Sequence, residues 1–280
     1  SLAEPVQRMR NFAVELGEGQ LGERLDIRRR DELGQLATEL NRMSRRLAEL
    51  DEERRAFLAG ASHELRTPVS NIHVTLEALE SGAAEDPDLR RRFVQSALGE
   101  TSRMIRLLQD LLDLGRLEAG VSAIEPQPTS VQHLVERLHR AMEPRLREAG
   151  VWIELDVVDA PLSIDTERML QALMNILDNA LKFAPRGSTV RLRSRAERGS
   201  AVISIEDEGP GIAPADLPRV FEQFWMADPA RKRSGTGLGL AIARRIIESH
   251  GGTISASSAC GRGATFTMAL PTRSVTGAVL

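Results

Sequence analysis

The chain has 280 residues, of which 41% are hydrophobic and 28% charged, and its formal net charge is −3. This length is enough for two or three packed units, and the charge gives no strong general attraction to nucleic acid or to a membrane surface. A single cysteine, Cys260, excludes a disulfide framework within the chain. No apolar run approaches the ~18 residues of a membrane span.

Residues 1–50 predict two helices joined by a glycine-rich connector. Pro5 suits the first turn of a helix, and Gly17, Gly19 and Gly22 then interrupt the helical pattern. In the second helix, apolar residues alternate at spacings of three and four: Leu33, Leu36, Leu40, Met43, Leu47 and Leu50. Such a narrow stripe favours a dimeric coiled coil, and packing in the core of one monomer is the alternative.

The heptapeptide Ser62–Pro68 places a histidine, a carboxylate and a hydroxyl within about one helical turn. The apolar stripe changes phase before it, as after an insertion of about four residues into the heptad pattern. His63 lies two residues from both Ala61 and Leu65 of the new stripe, so its imidazole is expected to face solvent. Pro68 cannot donate a backbone hydrogen bond, which weakens the helix there.

A turn over 82–87 separates this helix from an amphipathic helix over 89–118, and the pair predicts an αα-hairpin. Two such hairpins make a four-helix bundle. A segment with two prolines near residue 125 indicates a linker. Beyond it, helices are predicted over 130–148, 166–183 and 238–249, and strands over 151–157, 189–195, 201–206, 252–257 and 264–270. This mixture predicts an α+β sandwich with mostly antiparallel strands.

Three polar residues share one face of the helix predicted over 166–183. Asn175, Asn179 and Lys182 follow at i, i+4 and i+7, opposite an apolar face of leucines. An asparagine oxygen suits Mg²⁺, and a lysine is a natural phosphate contact. A solvated helix face would show the same pattern, so these residues indicate a site only together with others.

Asp207 ends a predicted strand in which period-two alternation directs its side chain to the buried face. A buried carboxylate needs a partner, and the exocyclic amine of adenine would be a good one. Gly209 and Gly211 would let the backbone approach a ligand closely. Taken alone, the segment is explained equally well by an ordinary Asp-Gly turn.

A glycine-rich loop precedes the last helix and consists of Gly235, Thr236, Gly237, Leu238, Gly239 and Leu240. Such a loop exposes N–H groups at a helix N-terminus, which suits phosphates. Its glycine spacing is neither that of a dinucleotide-binding fingerprint nor that of a P-loop.

The segment 218–234 combines aromatic residues, among them Phe224, with a basic group that includes Arg231. Aromatic and basic residues before a glycine-rich loop suggest a mobile lid over phosphates. An ordinary surface loop anchored by aromatic side chains is the alternative.

The order of these segments resembles that of a sensor histidine kinase of the two-component type. Ser62–Pro68 is similar to the H box of that family, and Asn175–Lys182 is similar to its N box. Three later segments are similar to the G1, F and G2 boxes: Asp207–Gly211, Phe221–Phe224 and Gly235–Leu240. Taken together, the boxes are far more specific than any one of them.

The first helix and the segment 31–34 resemble a HAMP signal-transmission module, so the resemblance extends over residues 3–270. Trp225 after the F box and a short lid with Ser234 before Gly235 depart from the family pattern. The implied fold is an all-α dimeric coiled coil and four-helix bundle, followed by a GHKL-type α+β ATP-binding sandwich. The expected divisions are a HAMP-like module over 1–52, a dimerisation and phosphotransfer hairpin over 53–120, a linker over 121–128, the catalytic ATP-binding domain over 129–272 and a tail over 273–280.

The resemblance implies a protein-histidine kinase that moves the γ-phosphoryl group of ATP to His63 and then to an aspartate on the receiver domain of a response regulator. Glu64 would orient the imidazole and accept its proton as general base. Thr67, four residues after His63, would place water when the regulator is dephosphorylated. A bend near Pro68 would switch between the kinase and phosphatase states.

The nucleotide-binding residues implied by the resemblance are Asn175, Asn179, Lys182, Asp207, Gly209, Gly211, Phe224, Arg231, Gly235, Thr236, Gly237, Leu238, Gly239 and Leu240. Asn179 would hold Mg²⁺, which bridges phosphate oxygens and neutralises developing charge. Asp207 would recognise adenine.

The resemblance also implies a homodimer without a nucleic-acid partner. The chain would be the cytoplasmic portion of a bacterial receptor anchored in the inner membrane, with its sensor and transmembrane segment outside this sequence. One alternative is an ATPase of the gyrase, chaperone or mismatch-repair type, although such enzymes use a glutamate where this chain has Asn175. Another is a non-catalytic scaffold or a phosphatase-only partner. The input signal, the cognate regulator and the choice between cis and trans autophosphorylation stay open.

Overall fold

A computed structural model describes residues 3–118, 124–197, 199–226 and 235–272 of the chain. The chain divides into two compact units, Ser1–His63 and Glu64–Leu280. None of the helices in the described ranges is long and apolar enough to cross a membrane.

The first unit contains helix α1, Ala3–Gly17, a connector without regular structure, and the first part of helix α2, Glu32–Ala78. Its buried apolar core comprises Met9, Phe12, Leu16, Leu25 and Ala37. The connector is fixed by Asn41, whose side chain donates to the carbonyl of Leu25 at 2.9 Å and accepts from its N–H at 2.7 Å. The hydroxyl of Ser44 donates to the carbonyl of Glu23 at 3.1 Å.

The predicted heptad stripe of α2 divides into two sets. Leu33 and Leu40 pack against the core of the first unit. The other four side chains are 38 to 49% exposed: Leu36, Met43, Leu47 and Leu50. Packing within one monomer therefore accounts for part of the stripe, and the dimeric coiled coil remains a prediction for the rest.

The second unit begins with the remainder of α2, a π-helical turn at Leu79–Ala83, and helix α3, Pro87–Glu118. Gly82 has a φ of 111°, a backbone region that favours glycine, and it ends the first helix of the pair. The carboxylate of Asp86 accepts hydrogen bonds from the N–H groups of Asp88 and Leu89 at 2.8 and 3.1 Å, as an N-terminal cap does. This is the predicted αα-hairpin.

The remaining elements of the second unit follow in this chain order: β1 Gln127–Ser130, α4 Val131–Ala149, β2 Trp152–Asp156, β3 Pro161–Ile164, α5 Thr166–Phe183, β4 Thr189–Glu197, β5 Ser200–Glu206, a 3₁₀ turn Leu217–Arg219, α6 Gly239–Ser249, β6 Thr253–Ser258 and β7 Ala264–Pro271. The main sheet has the strand order β2-β4-β5-β7-β6, and its β2–β4 pair is parallel. The other pairs are antiparallel, as predicted.

The core of this domain lies between the sheet and its helices. On β7, alternate residues are buried, and Phe266, Met268 and Leu270 are completely inaccessible. Helix α5 buries its leucine face, including Leu173 and Leu177, so its polar face is left for other contacts. The bounds of α5 are those that the sequence predicts.

A small second sheet begins within the segment that was expected to be a linker. β1 pairs antiparallel with β3, with Gln127 opposite Ile164. The sequence analysis assigns residues 127 and 128 to the linker and predicts neither strand. Four-residue strands give too short an alternation to be recognised, and their pairing depends on tertiary contacts. Residues 121–123 of the expected linker and the expected tail over 273–280 lie outside the described residues.

Candidate nucleotide-binding site and phosphoacceptor segment

The polar face of α5 lies beside the glycine-rich loop that leads into α6. A side chain added at Gly239 would come 3.7 Å from Cβ of Asn175, and one at Gly235 would come 2.7 Å from Nζ of Lys182. The side-chain nitrogen of Asn175, Nδ2, is buried and has no hydrogen-bond partner in the described ranges. Buried polar groups are normally paired, so this edge of α5 fits a ligand that carries acceptor oxygens.

The glycine-rich loop and the F box hold each other through their backbones. The N–H of Phe224 donates to the carbonyl of Gly237 at 2.9 Å, and Phe224 has a φ of 60°, which is rare for a large residue. Gly237 has a φ of 71°, and a Cβ on it would lie 2.8 Å from the backbone of Phe224. Leu238 begins α6 without a side-chain cap, so the first N–H groups of this helix can bind an anion.

Asp207 follows β5 and is only 5% exposed. Its Oδ1 atom accepts hydrogen bonds from the N–H groups of Gly209 at 2.8 Å and Ala264 at 3.3 Å. Burial raises the pKa of the Asp207 carboxyl, and these hydrogen bonds offset part of the effect. Within the described part of the chain, no protein group donates to its Oδ2 atom, which can therefore accept from a ligand.

Gly209 and Gly211 are required for packing within the protein. A side chain at Gly209 would come 2.8 Å from Oδ1 of Asp207 and 3.1 Å from the carbonyl of Phe183. Gly211 has a φ of 78°, and its added Cβ would lie 2.3 Å from the carbonyl oxygen of Ala259. Both glycines are therefore needed for packing against protein atoms, and their approach to a ligand stays a prediction.

An acidic residue of α3 contacts the glycine-rich loop. The hydroxyl of Thr236 donates to Oδ2 of Asp110 at 2.8 Å and accepts from the N–H of Leu238 at 3.3 Å. Burial raises the pKa of the Asp110 carboxyl, and the hydrogen bond from Thr236 offsets part of this. Burial likewise lowers the pKa of the Lys182 ammonium, and the nearby charge of Asp178 offsets part of this effect.

Asp113 lies one turn after Asp110 and contacts α5. Its carboxylate accepts from Nη1 of Arg168 at 3.3 Å and from Nε2 of Gln171 at 2.7 Å. No motif of the sequence analysis includes Asp110 or Asp113, because each has the pattern of an ordinary charged helix face. These carboxylates obtain their partners only in the folded chain, Asp110 from the glycine-rich loop and Asp113 from α5.

The phosphoacceptor segment of α2 combines exposed and buried residues. His63 is exposed, as its position relative to the apolar stripe predicts, and Thr67 is half-buried. Glu64 is buried, and its Oε2 atom accepts from Nη2 of Arg103 at 3.3 Å. The same nitrogen of Arg103 donates to the carbonyl oxygen of Gly235 at 3.4 Å. Arg103 is the third residue, after Asp110 and Asp113, that sequence patterns do not reveal.

The other predicted residues have simpler positions. Asn179 is half-buried on α5, one turn after Asn175, and Arg231 lies outside the described residues. His250 follows the last residue of α6, and its Nε2 atom accepts from the N–H of Asp165 at 3.0 Å. A separate cleft of about 580 Å³ beside β1 and the N-terminal ends of α4 and α5 contains none of the predicted site residues.

These features define an ATP-binding domain joined to a phosphoacceptor hairpin, and three family models match the chain accordingly. They are the HAMP domain at residues 1–49, the His Kinase A (phospho-acceptor) domain at residues 53–120, and the Histidine kinase-, DNA gyrase B-, and HSP90-like ATPase at residues 164–274. The solved histidine kinase AdeS of Acinetobacter baumannii is 31% identical with a TM-score of 0.63, and the match covers 75% of this chain and 98% of that one. The chain belongs to the sensor histidine kinases of two-component systems.

Two further proteins show the extent of the similarity. The sensor histidine kinase WalK of Bacillus subtilis is 39% identical over 227 residues, which are 79% of this chain and 37% of WalK. Histidine kinase ThkA, solved in complex with response regulator protein TrrA, has a TM-score of 0.65 at 21% identity over 81% of this chain and 66% of that one, a likeness of fold alone. The chain spans about half or less of the curated relatives it matches, between 37% and 49% of their lengths.

Proposed function

We propose that this chain is the kinase portion of a sensor histidine kinase, which transfers the γ-phosphoryl group of ATP to His63 and then to a response regulator. The observation that carries the proposal is the convergence of Asn175, Lys182 and the glycine-rich loop at one edge of an ATP-binding domain. That domain is linked to the helical hairpin that matches a phospho-acceptor family.

Adenine nucleotide fits the donors and acceptors of this edge. Nδ2 of Asn175 lacks a partner in the described residues, and the first turn of α6 presents N–H groups, so both can donate to phosphate oxygens. Lys182 contributes a nearby positive charge. At the adenine end of the nucleotide, Oδ2 of Asp207 would accept a hydrogen bond from the exocyclic amine of the base. Phe224 and Arg231 belong to the segment that would cover the nucleotide.

The side-chain oxygen of Asn179 would hold Mg²⁺ beside the phosphates of the nucleotide. Mg²⁺ prefers oxygen ligands and usually keeps several waters. Within the described ranges, no group of three or more His, Cys, Asp or Glu residues could hold a metal ion. A site composed of one amide and phosphate oxygens therefore fits the side chains present. When bound, Mg²⁺ neutralises charge that develops on the phosphate oxygens.

In the first reaction, a ring nitrogen of His63 attacks the γ-phosphorus of ATP. The new N–P bond forms as the bond to the β–γ bridging oxygen breaks, and ADP leaves. The attacking imidazole must lose a proton, and Glu64, the next residue in the chain, accepts it as general base. The exposure of His63 lets a nucleotide-bearing domain approach it.

In the second reaction, phosphorylated His63 passes the phosphoryl group to an aspartate carboxylate on the receiver domain of a response regulator. Family membership supports this partner, and ThkA, which shares the fold, has been solved with a response regulator protein. Thr67 lies four residues after His63 on α2, where its hydroxyl would orient water for the reverse, phosphatase reaction. A bend of α2 at Pro68 would select between the two activities.

The chain is proposed to act as a homodimer. One face of α3 carries five apolar residues whose side chains are 43 to 62% exposed and which follow one another at heptad-like spacings: Val94, Leu98, Ile105, Leu108 and Leu112. An exposed stripe with this period fits a second copy of the hairpin, which would complete a four-helix bundle. The exposed half of the α2 stripe in the first unit fits the same symmetry.

The expected domain divisions are proposed to hold, with a linker that ends at residue 126, immediately before β1. The HAMP match at residues 1–49 and the greater length of the matched relatives support an origin in a membrane-anchored receptor. The chain would then be the cytoplasmic portion of that receptor.

Incubation with Mg²⁺ and γ-labelled ATP tests the proposal. The label is expected to be stable in base and lost in acid, as phosphohistidine is. His63→Ala is expected to abolish labelling and to retain ATP binding. As a matched control, His73→Ala alters another exposed histidine of α2, one that pairs with Glu77, and it should keep the label. Acid-stable label, or equal labelling of His63→Ala, would overturn the proposal.

A mixture of two inactive variants distinguishes transfer within a chain from transfer between chains of the dimer. His63→Ala lacks the acceptor, and Asn179→Ala lacks the proposed metal ligand. Only transfer between chains restores label in the mixed dimer, on the chain that retains His63.

A further inference from the structure

Arg103 connects two parts of the proposed reaction that belong to different elements. Its Nη2 atom donates to Oε2 of Glu64 at 3.3 Å and to the carbonyl oxygen of Gly235 at 3.4 Å. Glu64 follows the acceptor histidine in the chain, and Gly235 is the first residue of the glycine-rich loop. We infer that Arg103 is a positioning residue for phosphoryl transfer, which holds the Glu64 carboxylate as proton acceptor and fixes the start of the phosphate-binding loop. This inference rests on the proposed function.

The pair formed by Arg103 and Glu64 is shielded from solvent, with 13% and 6% of the respective side chains exposed. An exposed ion pair would constrain neither residue strongly, because water and salt screen it. At this depth, a carboxylate needs a cation or several donors, and a guanidinium offers five N–H donors in a fixed plane. The direction of the Glu64 side chain therefore depends on Arg103.

A general base must be ionised and correctly aimed when the proton arrives. The hydrogen bond from Arg103 occupies one oxygen of the Glu64 carboxylate. The other oxygen, Oε1, then remains to accept the imidazole proton. Loss of Arg103 would leave the carboxylate buried without its cation and free to rotate away from the imidazole.

The contact with Gly235 acts on the loop. In a trans peptide, the carbonyl and the following N–H point in opposite directions, so a fixed Gly235 carbonyl fixes the N–H of Thr236. Asp110, seven residues after Arg103 on the same face of α3, holds the Thr236 hydroxyl at 2.8 Å. Arg103 and Asp110 thus together set the orientation of the first peptide of the loop. Of these two residues, only Arg103 also contacts Glu64.

The test measures single-turnover autophosphorylation at saturating MgATP together with the dissociation constant of MgATP. Arg103→Met is expected to lower the rate about tenfold to hundredfold, because a misaimed base loses that much of its effect. The dissociation constant should rise less than the rate falls, by about threefold to tenfold, because Glu64 does not bind the nucleotide and Arg103 orients only one N–H group of the loop. Arg103→Lys should recover part of the rate, since it keeps the charge without the planar fork. Arg92→Met removes an exposed arginine of the same helix and should leave both quantities unchanged.

A double-mutant cycle with Glu64→Gln separates positioning from a general structural effect. If Arg103 acts through Glu64, adding Arg103→Met to Glu64→Gln should lower the residual rate less than about threefold further. An equal loss in both backgrounds would overturn the inference, as would a wild-type rate in Arg103→Met or an effect confined to MgATP binding. Should Arg103→Met fail to fold, the same cycle with Arg103→Lys decides. Failure of the wild-type chain to label His63 would instead refute the proposed function itself.

Discussion

Replacement of Asp207 by asparagine separates adenine recognition from the structure of the turn. An asparagine can still accept through Oδ1 from the N–H groups of Gly209 and Ala264, now at 2.8 and 3.3 Å. Its other atom becomes an NH₂ group, which would oppose the amine of adenine, since both are donors. Loss of a hydrogen bond to a charged acceptor, together with an unpaired donor, should cost about 2–3 kcal/mol, or about 30-fold to 150-fold in the Kd for ATP.

The same substitution should not lower stability at neutral pH. Burial raises the pKa of Asp207 in the folded chain above its unfolded value of about 3.9, so the ionised carboxylate costs folding free energy above that range. This cost is fully present above the folded pKa and disappears as the pH falls toward the unfolded value. The free energy of unfolding of Asp207→Asn should therefore equal or exceed that of the wild type at pH 7, and the difference should shrink toward pH 4.

Calorimetric titration with ATP and GTP, combined with denaturant unfolding at several pH values, measures both effects. Glu206→Gln is the matched control, because Glu206 belongs to the same strand and pairs with Arg193 at 2.9 Å on the opposite face. The control should keep the affinity for ATP and the preference for adenine, and Asp207→Asn should lose both. Wild-type affinity and selectivity in Asp207→Asn would refute the assignment of Asp207 to adenine.

Three other substitutions test separate parts of the molecule. Lys182→Met should weaken ATP binding about tenfold in calorimetry, yet it should not lower the free energy of unfolding at neutral pH, because burial already lowers the pKa of this ammonium. Gly237→Ala should strain the loop against Phe224 by about 1–3 kcal/mol and weaken ATP binding. Gly115→Ala is its control and should leave binding unchanged, because the added Cβ meets no neighbour within 4 Å. Leu98→Glu places a charge in the exposed stripe of α3 and should convert dimers to monomers in light scattering; a dimer of unchanged affinity would contradict the proposed bundle.

Local periodicity predicted the elements that carry the nucleotide site. The leucine spacing of α5 gave its bounds, and the polar residues opposite those leucines are the ones that lie beside the glycine-rich loop. Period-two alternation correctly directed Asp207 to the buried face of β5. In both cases one element contains the whole pattern, so a single sequence is sufficient.

Contacts between distant segments were not predictable in this way. The pairing of β1 with β3 joins two four-residue strands, and Arg103, Asp110 and Asp113 read as an ordinary charged face of α3. Their partners lie between 39 and 132 residues away in the chain. The glycines of the G1 box were predicted as special positions, but only the fold shows which protein atoms a side chain there would meet.

The most direct test of the central claim is site-resolved mass spectrometry of the intact chain after incubation with MgATP, with digestion kept at alkaline pH. We expect one phosphoryl group on the imidazole of His63, absent when ATP is replaced by ADP. Phosphate on another residue, or hydrolysis of ATP without any phosphorylated histidine, would contradict transfer to His63.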